Sequence, residues 1–445
     1  MRVACVSTEL NSPPSEYQGS HEAEEPLDLM YVLGEFGEET AKLVDINTDD
    51  KLELSTADYV VLSTTNSYLQ WNNHVLGLDL VAPVLRDIRE STRPECKIVV
   101  FGPHVPVHYS SLYDLGADAV FIGEAELSVV RAIEAYESNS RVDSVPGYQP
   151  RNGPRAQPVV VNDLDMLPTP AYWATRSKPY NAHNALTNGP GHLYETSRGC
   201  PYQCTFCNTI FHRQDYRVKS PNKIAHDLTS LKIQYPDDYV YFIDESFGFR
   251  RDWTDNVLNV IREIPGTYGC QGNLAFATPE KLEKMAGANF VNIEFGLESG
   301  SDEVVRAIGK NNAYKRSADT INRACELGLN PLLFVQVGLP GDSKESLRQT
   351  IDFLSRLDAR TRISIGVTTV YFGTQLWKDS VDPAEDKTRL PSYSTSGQTG
   401  NSLNMSGQTA NEIAANFGPN QFLTEKYVSK LSDFFNARFD VKGEQ

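Results

Sequence analysis

Residues 193–207 read Leu193-Tyr-Glu-Thr-Ser-Arg-Gly-Cys200-Pro-Tyr-Gln-Cys204-Thr-Phe-Cys207. A short apolar run, Leu193–Thr196, gives way to a glycine and a proline, the mark of a strand stopping at a loop. That loop carries the spacing C-x-x-x-C-x-x-C. With seven cysteines in 445 residues, chance would place the pattern only about 0.002 times, so the spacing points to chemistry.

Downstream the same unit recurs. Tyr239–Asp244, Gly272–Ala277, Phe290–Gly296, Leu332–Val337 and Ile363–Tyr371 read as further strands. Helical patterns separate them, as at Asp252–Glu263, where Trp253, Val257, Ile261 and Ile264 repeat at helical spacing behind Asp252 as N-cap. Six strand–helix units in a row predict a partial (β/α)6 TIM-type barrel over residues 189–378. Loops at the C-terminal ends of barrel strands face the active site, which puts the cysteine loop at its mouth.

Upstream, residues 1–140 also alternate. Arg2–Ser7, Thr40–Asp45, Tyr59–Ser63, Lys97–Gly102 and Ala119–Gly123 read as apolar strands, with helices at Leu80–Glu90 and Glu126–Tyr136 among those between them. The pattern predicts an α/β, Rossmann-like, doubly wound sheet. Residues 141–188 read as a linker. Ser138–Pro158 is rich in Pro, Gly, Asn, Ser and Arg, and the prolines of Asp163-Leu-Asp-Met-Leu-Pro-Thr-Pro-Ala171 predict extended chain. Residues 379–445 form a C-terminal segment, polar to about Gly407 and ending in an amphipathic helix, Glu425–Phe435.

Charge and composition exclude some roles. There are 41 basic against 58 acidic residues, a net charge of −17, which argues against nucleic acid and against an anionic membrane surface as partners. No signal peptide and no membrane-spanning apolar run is legible, so a cytoplasmic location is expected. Cys5, Cys96, Cys270 and Cys325 are scattered among apolar or mixed neighbours and read as packing residues.

Cys200, Cys204 and Cys207 read as metal ligands. Three thiolates on one short loop can each hold one iron of a cubane [4Fe–4S] cluster. The fourth iron then stays open and can bind the amino and carboxylate groups of S-adenosylmethionine (SAM). A structural zinc site wants four protein ligands, and His212 is the only close histidine that could join the cysteines. A ferredoxin-type carrier would need a fourth cysteine at a suitable spacing, and none follows.

The segment Ser197-Arg-Gly-Cys-Pro-Tyr-Gln-Cys-Thr-Phe-Cys207 resembles the cluster loop of the radical SAM superfamily. Further segments at successive strand ends support the likeness: Phe242-Ile-Asp244-Glu245-Ser-Phe247, Phe295-Gly-Leu-Glu298-Ser299-Gly300, Val337-Gly338-Leu-Pro340-Gly341-Asp342 and Tyr371-Phe-Gly373-Thr374. The resemblance implies that Phe206 lies near the SAM adenine, with the loop at Gly338 and Pro340. It also implies that Asp244 and Glu245 serve the amino group, and Glu298 and Ser299 the ribose or methionine end.

The N-terminal block resembles the cobalamin-binding-type domain that one group of these enzymes carries. Phe101-Gly102-Pro103-His104, Ile122-Gly123-Glu124-Ala125-Glu126 and Pro26-Leu27-Asp28 are similar to its loops, and Asp163–Pro168 to the linker after it. Relatives commonly have glycine at the positions of Phe101, Ala125 and Asp28. His104 and His108 read as ordinary loop histidines.

The resemblance implies a [4Fe–4S] cluster and SAM as cofactors, with cobalamin possible. It implies reductive cleavage of SAM to a 5′-deoxyadenosyl radical, then cobalamin-dependent C-methylation of a small metabolite or natural-product intermediate. The alternative is a cobalamin-free dehydratase, epimerase or cyclase acting on a sugar or other small molecule. A non-catalytic iron–sulfur or sensor protein is the reading from another class. Methylthiolation of tRNA or a ribosomal protein would need a second cysteine trio upstream and a basic C-terminal nucleic-acid module, and neither is legible. Partners implied are a small-molecule substrate and an electron donor such as flavodoxin or ferredoxin.

Overall fold

The computed structural model describes residues 1–8, 25–46, 52–64, 78–178, 180, 190–207, 216–310, 314–368 and 374–380. The expected helix Glu425–Phe435, His212, Tyr371 and Gly373 lie outside them.

The N-terminal half alternates strand and helix. Its elements are β1 (Val3–Ser7), α1 (Leu27–Gly34), β2 (Ala41–Asp45), β3 (Tyr59–Ser63), α2 (Leu78–Ser91), β4 (Lys97–Phe101), α3 (Val105–Asp114), β5 (Ala119–Val120) and α4 (Glu126–Glu137). The strands form one parallel sheet in the order β2-β1-β3-β4-β5. Continuous apolar runs such as Tyr59-Val-Val-Leu-Ser63, buried on both faces, are what a parallel sheet covered by helices requires. Strand order reverses between β1 and β3, so their C-terminal ends flank the switch point where doubly wound folds open a crevice.

The second half begins with β6 (Gly191–Tyr194) and the short strands β7 (Ser197–Arg198) and β8 (Arg217–Val218), which pair antiparallel. Then follow α5 (Pro221–Gln234), β9 (Tyr239–Phe247), α6 (Arg251–Arg262), β10 (Tyr268–Gly272), α7 (Pro279–Gly287), β11 (Phe290–Glu298), α8 (Asp302–Ala307), α9 (Tyr314–Glu326), β12 (Pro331–Val337), α10 (Lys344–Leu354), β13 (Arg362–Val367) and α11 (Gln375–Ser380). Six strands run parallel in the order β13-β12-β11-β10-β9-β6, and β6 and β13 are the two edges. This is the expected partial barrel.

Two sequence expectations need correction. The third barrel strand is Tyr268–Gly272, not Gly272–Ala277. Its glycines lower strand propensity, yet Gly269 is required there: a Cβ on it would stand 1.7 Å from the Tyr239 hydroxyl. The apolar residues that suggested a later strand, Leu274, Ala275 and Phe276, form a turn in which Asn273 accepts from Ala275 N and Phe276 N. Helix α6 is the second case. Arg250 takes the N-cap position and Asp252 lies in the first turn, where its charge still suits the helix dipole.

The stretch expected as a linker lies against the first sheet. Phe121 bridges Tyr148 antiparallel and Gly123 bridges Val159 in parallel. The Asp163 segment contains one 3-10 turn, Leu164–Met166, with the Asp163 side chain capping Asp165 N.

Helix α1 joins the two halves. Leu27 to Leu33 are all buried. Leu29, Val32 and Leu33 enter the core under the N-terminal sheet, while Leu27, Met30 and Tyr31 enter the barrel core with Leu164, Leu167 and Tyr172. A helix apolar on all sides is one covered on all sides.

Candidate active site

The cysteine loop leaves β7 through Gly199, which takes φ 86° and donates its amide to Glu245 Oε2 at 3.0 Å. Inside the loop Cys207 N donates to the Cys204 carbonyl at 3.2 Å. Thr205 N donates to the Ile308 carbonyl at 3.0 Å, and the Thr205 carbonyl accepts from Leu376 N at 2.8 Å. The backbone is therefore braced from α8 and α11, and Cys200, Cys204 and Cys207 are half-buried. Burial pushes the Cys200 thiol up to about 12, with smaller contributions from Cys207, Glu245 and Cys204. A thiol so placed becomes a ligand only when a cation compensates the lost proton. Among the described residues no three His, Cys, Asp or Glu side chains converge on a single metal ion. A cubane cluster does not ask for that, because each thiolate holds a different iron.

The other expected site residues fall into two groups. Phe206 packs on Val304, Ile308 and Leu339, which brings the loop's aromatic to the Gly338–Pro340 turn from the far side of the barrel. That turn is fixed by Asp342, whose Oδ2 accepts from Gly338 N at 2.7 Å and Leu339 N at 3.2 Å. Glu298 sits at a β-bulge with φ 64°, and its carboxylate accepts from Lys310 Nζ at 2.7 Å and Gln336 Nε2 at 2.9 Å.

Asp244 and Ser299 are committed within the chain. Asp244 accepts from Thr196 N and Oγ1, both at 2.9 Å, and from the amide and hydroxyl of Ser197. Burial raises its carboxyl to about 6 against those hydrogen bonds. The Ser299 hydroxyl meets Thr350 Oγ1 at 3.2 Å and accepts from Ser301 N at 3.1 Å. Both residues shape strand ends. The lone-residue signals in the sequence give no hint that Lys310 and Gln336 hold Glu298 or that Asp342 holds the Gly338 turn.

Behind the cysteine loop lies a buried ionic network that joins the halves. Arg198, 1% exposed, is held by Glu195 at 2.9 Å, Glu126 at 2.8 Å and Glu124 at 3.2 Å. Arg217 grips Glu124 with both terminal nitrogens, at 2.6 and 2.7 Å. Lys219 donates to the Tyr31 hydroxyl at 2.7 Å and lies over the Tyr194 ring. Three acids, Glu124, Glu126 and Glu195, thus face three bases, Arg198, Arg217 and Lys219. The Gly-Glu-Ala-Glu loop of the first sheet spends these carboxylates on the stem of the cysteine loop.

Of the residues that replace glycine, Phe101 and Ala125 are buried in the core of the first sheet. Asp28 is buried at the start of α1, where it accepts from Ser63 Oγ and Leu29 N, at 2.7 and 2.8 Å. His104 is the N-cap residue of α3, and His108 lies within that helix. Cys5, Cys96, Cys270 and Cys325 are buried, as packing residues should be. Among the described residues no helix is long and apolar enough to cross a membrane.

Residues 194–354 match the Radical SAM superfamily. An uncharacterized methyltransferase of Pyrococcus horikoshii is 26% identical over 312 residues, covering 68% of this chain and 66% of that protein. The cytidylyl-2-hydroxyethylphosphonate methyltransferase of Streptomyces wedmorensis is 24% identical over 353 residues, covering 69% and 66%. The chain thus spans just under two thirds of the length of either relative. The radical S-adenosylmethionine methyltransferase TsrM of Kitasatospora setae, solved with cobalamin and a [4Fe–4S] cluster bound, superposes with a TM-score of 0.62 at 16% identity, covering 85% of this chain and 75% of that one. Residues 194–354 thus carry the mark of the radical SAM superfamily, and the chain as a whole is similar to proteins named as methyltransferases and shares its fold with one solved with cobalamin and a [4Fe–4S] cluster.

Proposed function

We propose that this enzyme methylates a carbon atom of a small molecule by cobalamin-dependent radical SAM chemistry. The observation that carries the reading is a braced loop with three half-buried thiols at the C-terminal end of a parallel barrel. When bound, the cluster and SAM supply a 5′-deoxyadenosyl radical that takes hydrogen from an unactivated carbon, and cobalamin supplies the methyl group.

Cys200, Cys204 and Cys207 would each hold one iron, and their spacing leaves the fourth without a local cysteine. Phe206 and the Gly338–Pro340 turn present a joined apolar surface suited to the adenine. Glu298 offers a carboxylate fixed from two sides for the ribose or methionine end. Asp244 and Glu245 act through the loop, by holding Thr196, Ser197 and Gly199. Holding the reacting carbon close to the radical is the barrel's main task, since a primary radical reacts with its nearest neighbour.

Cobalamin fits the first sheet in one respect: two of the side chains that stand in place of glycine, Phe101 and Ala125, are buried in its core, while Asp28 reaches the end of β3 at Ser63. The likeness to methyltransferases, one of them solved with cobalamin, supports the reading. A second reading, cobalamin-free dehydration, epimerisation or cyclisation of a sugar or similar molecule, draws on a different observation. The room beside Gly102 and Gly123 is taken by Thr64 and by the Val159 backbone, the nearest atoms lying 2.6 and 2.3 Å from a Cβ built there. Under either reading a flavodoxin or ferredoxin in the cytoplasm would supply the electron.

The test is anaerobic reconstitution of the cluster, then incubation with SAM and dithionite, with and without hydroxocobalamin, and mass spectrometry of the products. 5′-Deoxyadenosine together with S-adenosylhomocysteine that appears only with cobalamin supports methyl transfer. 5′-Deoxyadenosine alone, unchanged by cobalamin, favours the second reading. An intact cluster that never turns SAM over, with candidate substrates present, would overturn both.

A further inference from the structure

Residues 308–310 run along the cysteine loop. Thr205 N, one residue past Cys204, donates to the Ile308 carbonyl at 3.0 Å. Gly309 then takes φ 71°, and a Cβ there would stand 3.1 Å from the carbonyl of Gln203, one residue before Cys204. The chain is thus held against the loop on both sides of that cysteine.

Lys310 comes next. Its Nζ donates to Glu298 Oε1 at 2.7 Å and to the Gly296 carbonyl at 2.6 Å, with 14% of the side chain exposed. Gly296 leaves the room for this: a Cβ there would lie 2.4 Å from Glu298 Oε1 and 2.5 Å from Lys310 Nζ. Burial alone would lower the lysine's pKa. The Glu298 carboxylate at 2.7 Å outweighs burial and raises it. The ammonium therefore stays charged at neutral pH, held by Glu298 and Gly296 on a chain whose two preceding residues touch the loop.

We propose that Lys310 and Glu298 are positioning residues of opposite sign that together set the reduction potential of the iron–sulfur cluster, Lys310 raising it and Glu298 lowering it. The inference rests on the assignment of the cluster to Cys200, Cys204 and Cys207. One-electron reduction adds negative charge to the cluster, so a fixed cation nearby stabilises the reduced form and a fixed anion the oxidised form. In a water-poor site the effect survives where bulk solvent would screen it. The pair cancels in net charge, so removing either member exposes the other.

The experiment is a redox titration, monitored by electron paramagnetic resonance, of anaerobically reconstituted full-length protein without SAM. Wild type is compared with Lys310→Met, Lys310→Arg and Glu298→Gln at matched iron and sulfide content. At a fixed ambient potential Lys310→Met should lower the reduced-to-oxidised ratio about tenfold, which is ~59 mV for one electron. Glu298→Gln should raise the ratio, and Lys310→Arg should leave it within about twofold of wild type, since charge is kept. Loosened structure alone would move Lys310→Met and Glu298→Gln in the same direction. Shifts of the same sign, or none, would overturn the inference. Where Lys310→Met fails to fold, Glu298→Gln with Lys310→Arg decides by the sign of the first against the constancy of the second. A wild-type protein that takes up no cluster would sink the cluster assignment itself, and this inference with it.

Discussion

The two parallel sheets end their strands alike and use those ends differently. At the C-terminal edge of the first sheet the polar groups are spent on the chain. Ser63 donates to Asp28, Thr8 Oγ1 to the Thr64 carbonyl, and Glu124 and Glu126 hold Arg198 and Arg217. At the same edge of the barrel the acids are also engaged, yet one loop carries three half-buried thiols. The difference assigns roles: the first sheet clamps the stem of the cysteine loop, and the barrel presents its tip. The clamp fixes the base of the loop, because an arginine two residues before Cys200 cannot shift without exposing buried carboxylates.

The largest effect should come at the tip. Cys204→Ala is expected to abolish cluster assembly and 5′-deoxyadenosine formation while leaving the far-ultraviolet circular dichroism unchanged. Deoxyadenosine at wild-type levels from this variant would remove the functional half of the comparison.

The clamp comes next. Arg198→Met leaves three acids facing a neutral side chain, and loss of one partner of a buried pair costs about 3–5 kcal/mol. Urea unfolding should show that loss, whereas Arg141→Ala, which removes an exposed pair with Asp143, should leave the midpoint where it was. Equal effects of the two substitutions would deny the clamp any special place.

Gly123→Ala probes the packing of residues 158–159 on the first sheet. Its φ of 103° and the Val159 carbonyl 2.3 Å from a Cβ built there predict a loss of about 1–3 kcal/mol. Gly37→Ala, with φ 76° and nothing within 4 Å, should cost only about 1 kcal/mol. Similar melting temperatures for the two variants would contradict that packing.

The smallest effect is a pH dependence at the start of the barrel. His192 lies between Glu25 at 2.8 Å and Asp238 at 3.1 Å. Burial pulls its pKa down, but the two acids outweigh that and raise it. A histidine raised on folding contributes stability that is complete below its unfolded pKa of about 6.5 and fades as pH climbs through the folded value. The stability difference between wild type and His192→Gln should therefore be greater at acid than at alkaline pH. A difference that grew with pH would reverse the assignment.

Much of the architecture was legible because it rests on local pattern. Burial on both faces forces apolar runs on parallel strands, so β1, β3 and β4 stand out, and glycines and prolines mark where chains turn. The cysteine loop stood out because its spacing lies within one short stretch of chain. Strand β10 was misplaced because it is glycine-rich to admit the Tyr239 hydroxyl, a requirement set by a neighbouring strand.

From the sequence alone follow the order of strands and helices, the place of the cysteine loop after the first barrel strand, and the net charge of −17. Each depends on residues close along the chain or on simple sums. Only the tertiary structure decided that α1 belongs to two cores, that Glu124 and Glu126 reach Arg198, and that Lys310 meets Glu298 beside Cys204. Arg198 lies 74 residues from Glu124, and Lys310 12 from Glu298. Nothing in local propensity or periodicity links such residues; the chain brings them together only when burial makes an unpaired charge too costly to leave.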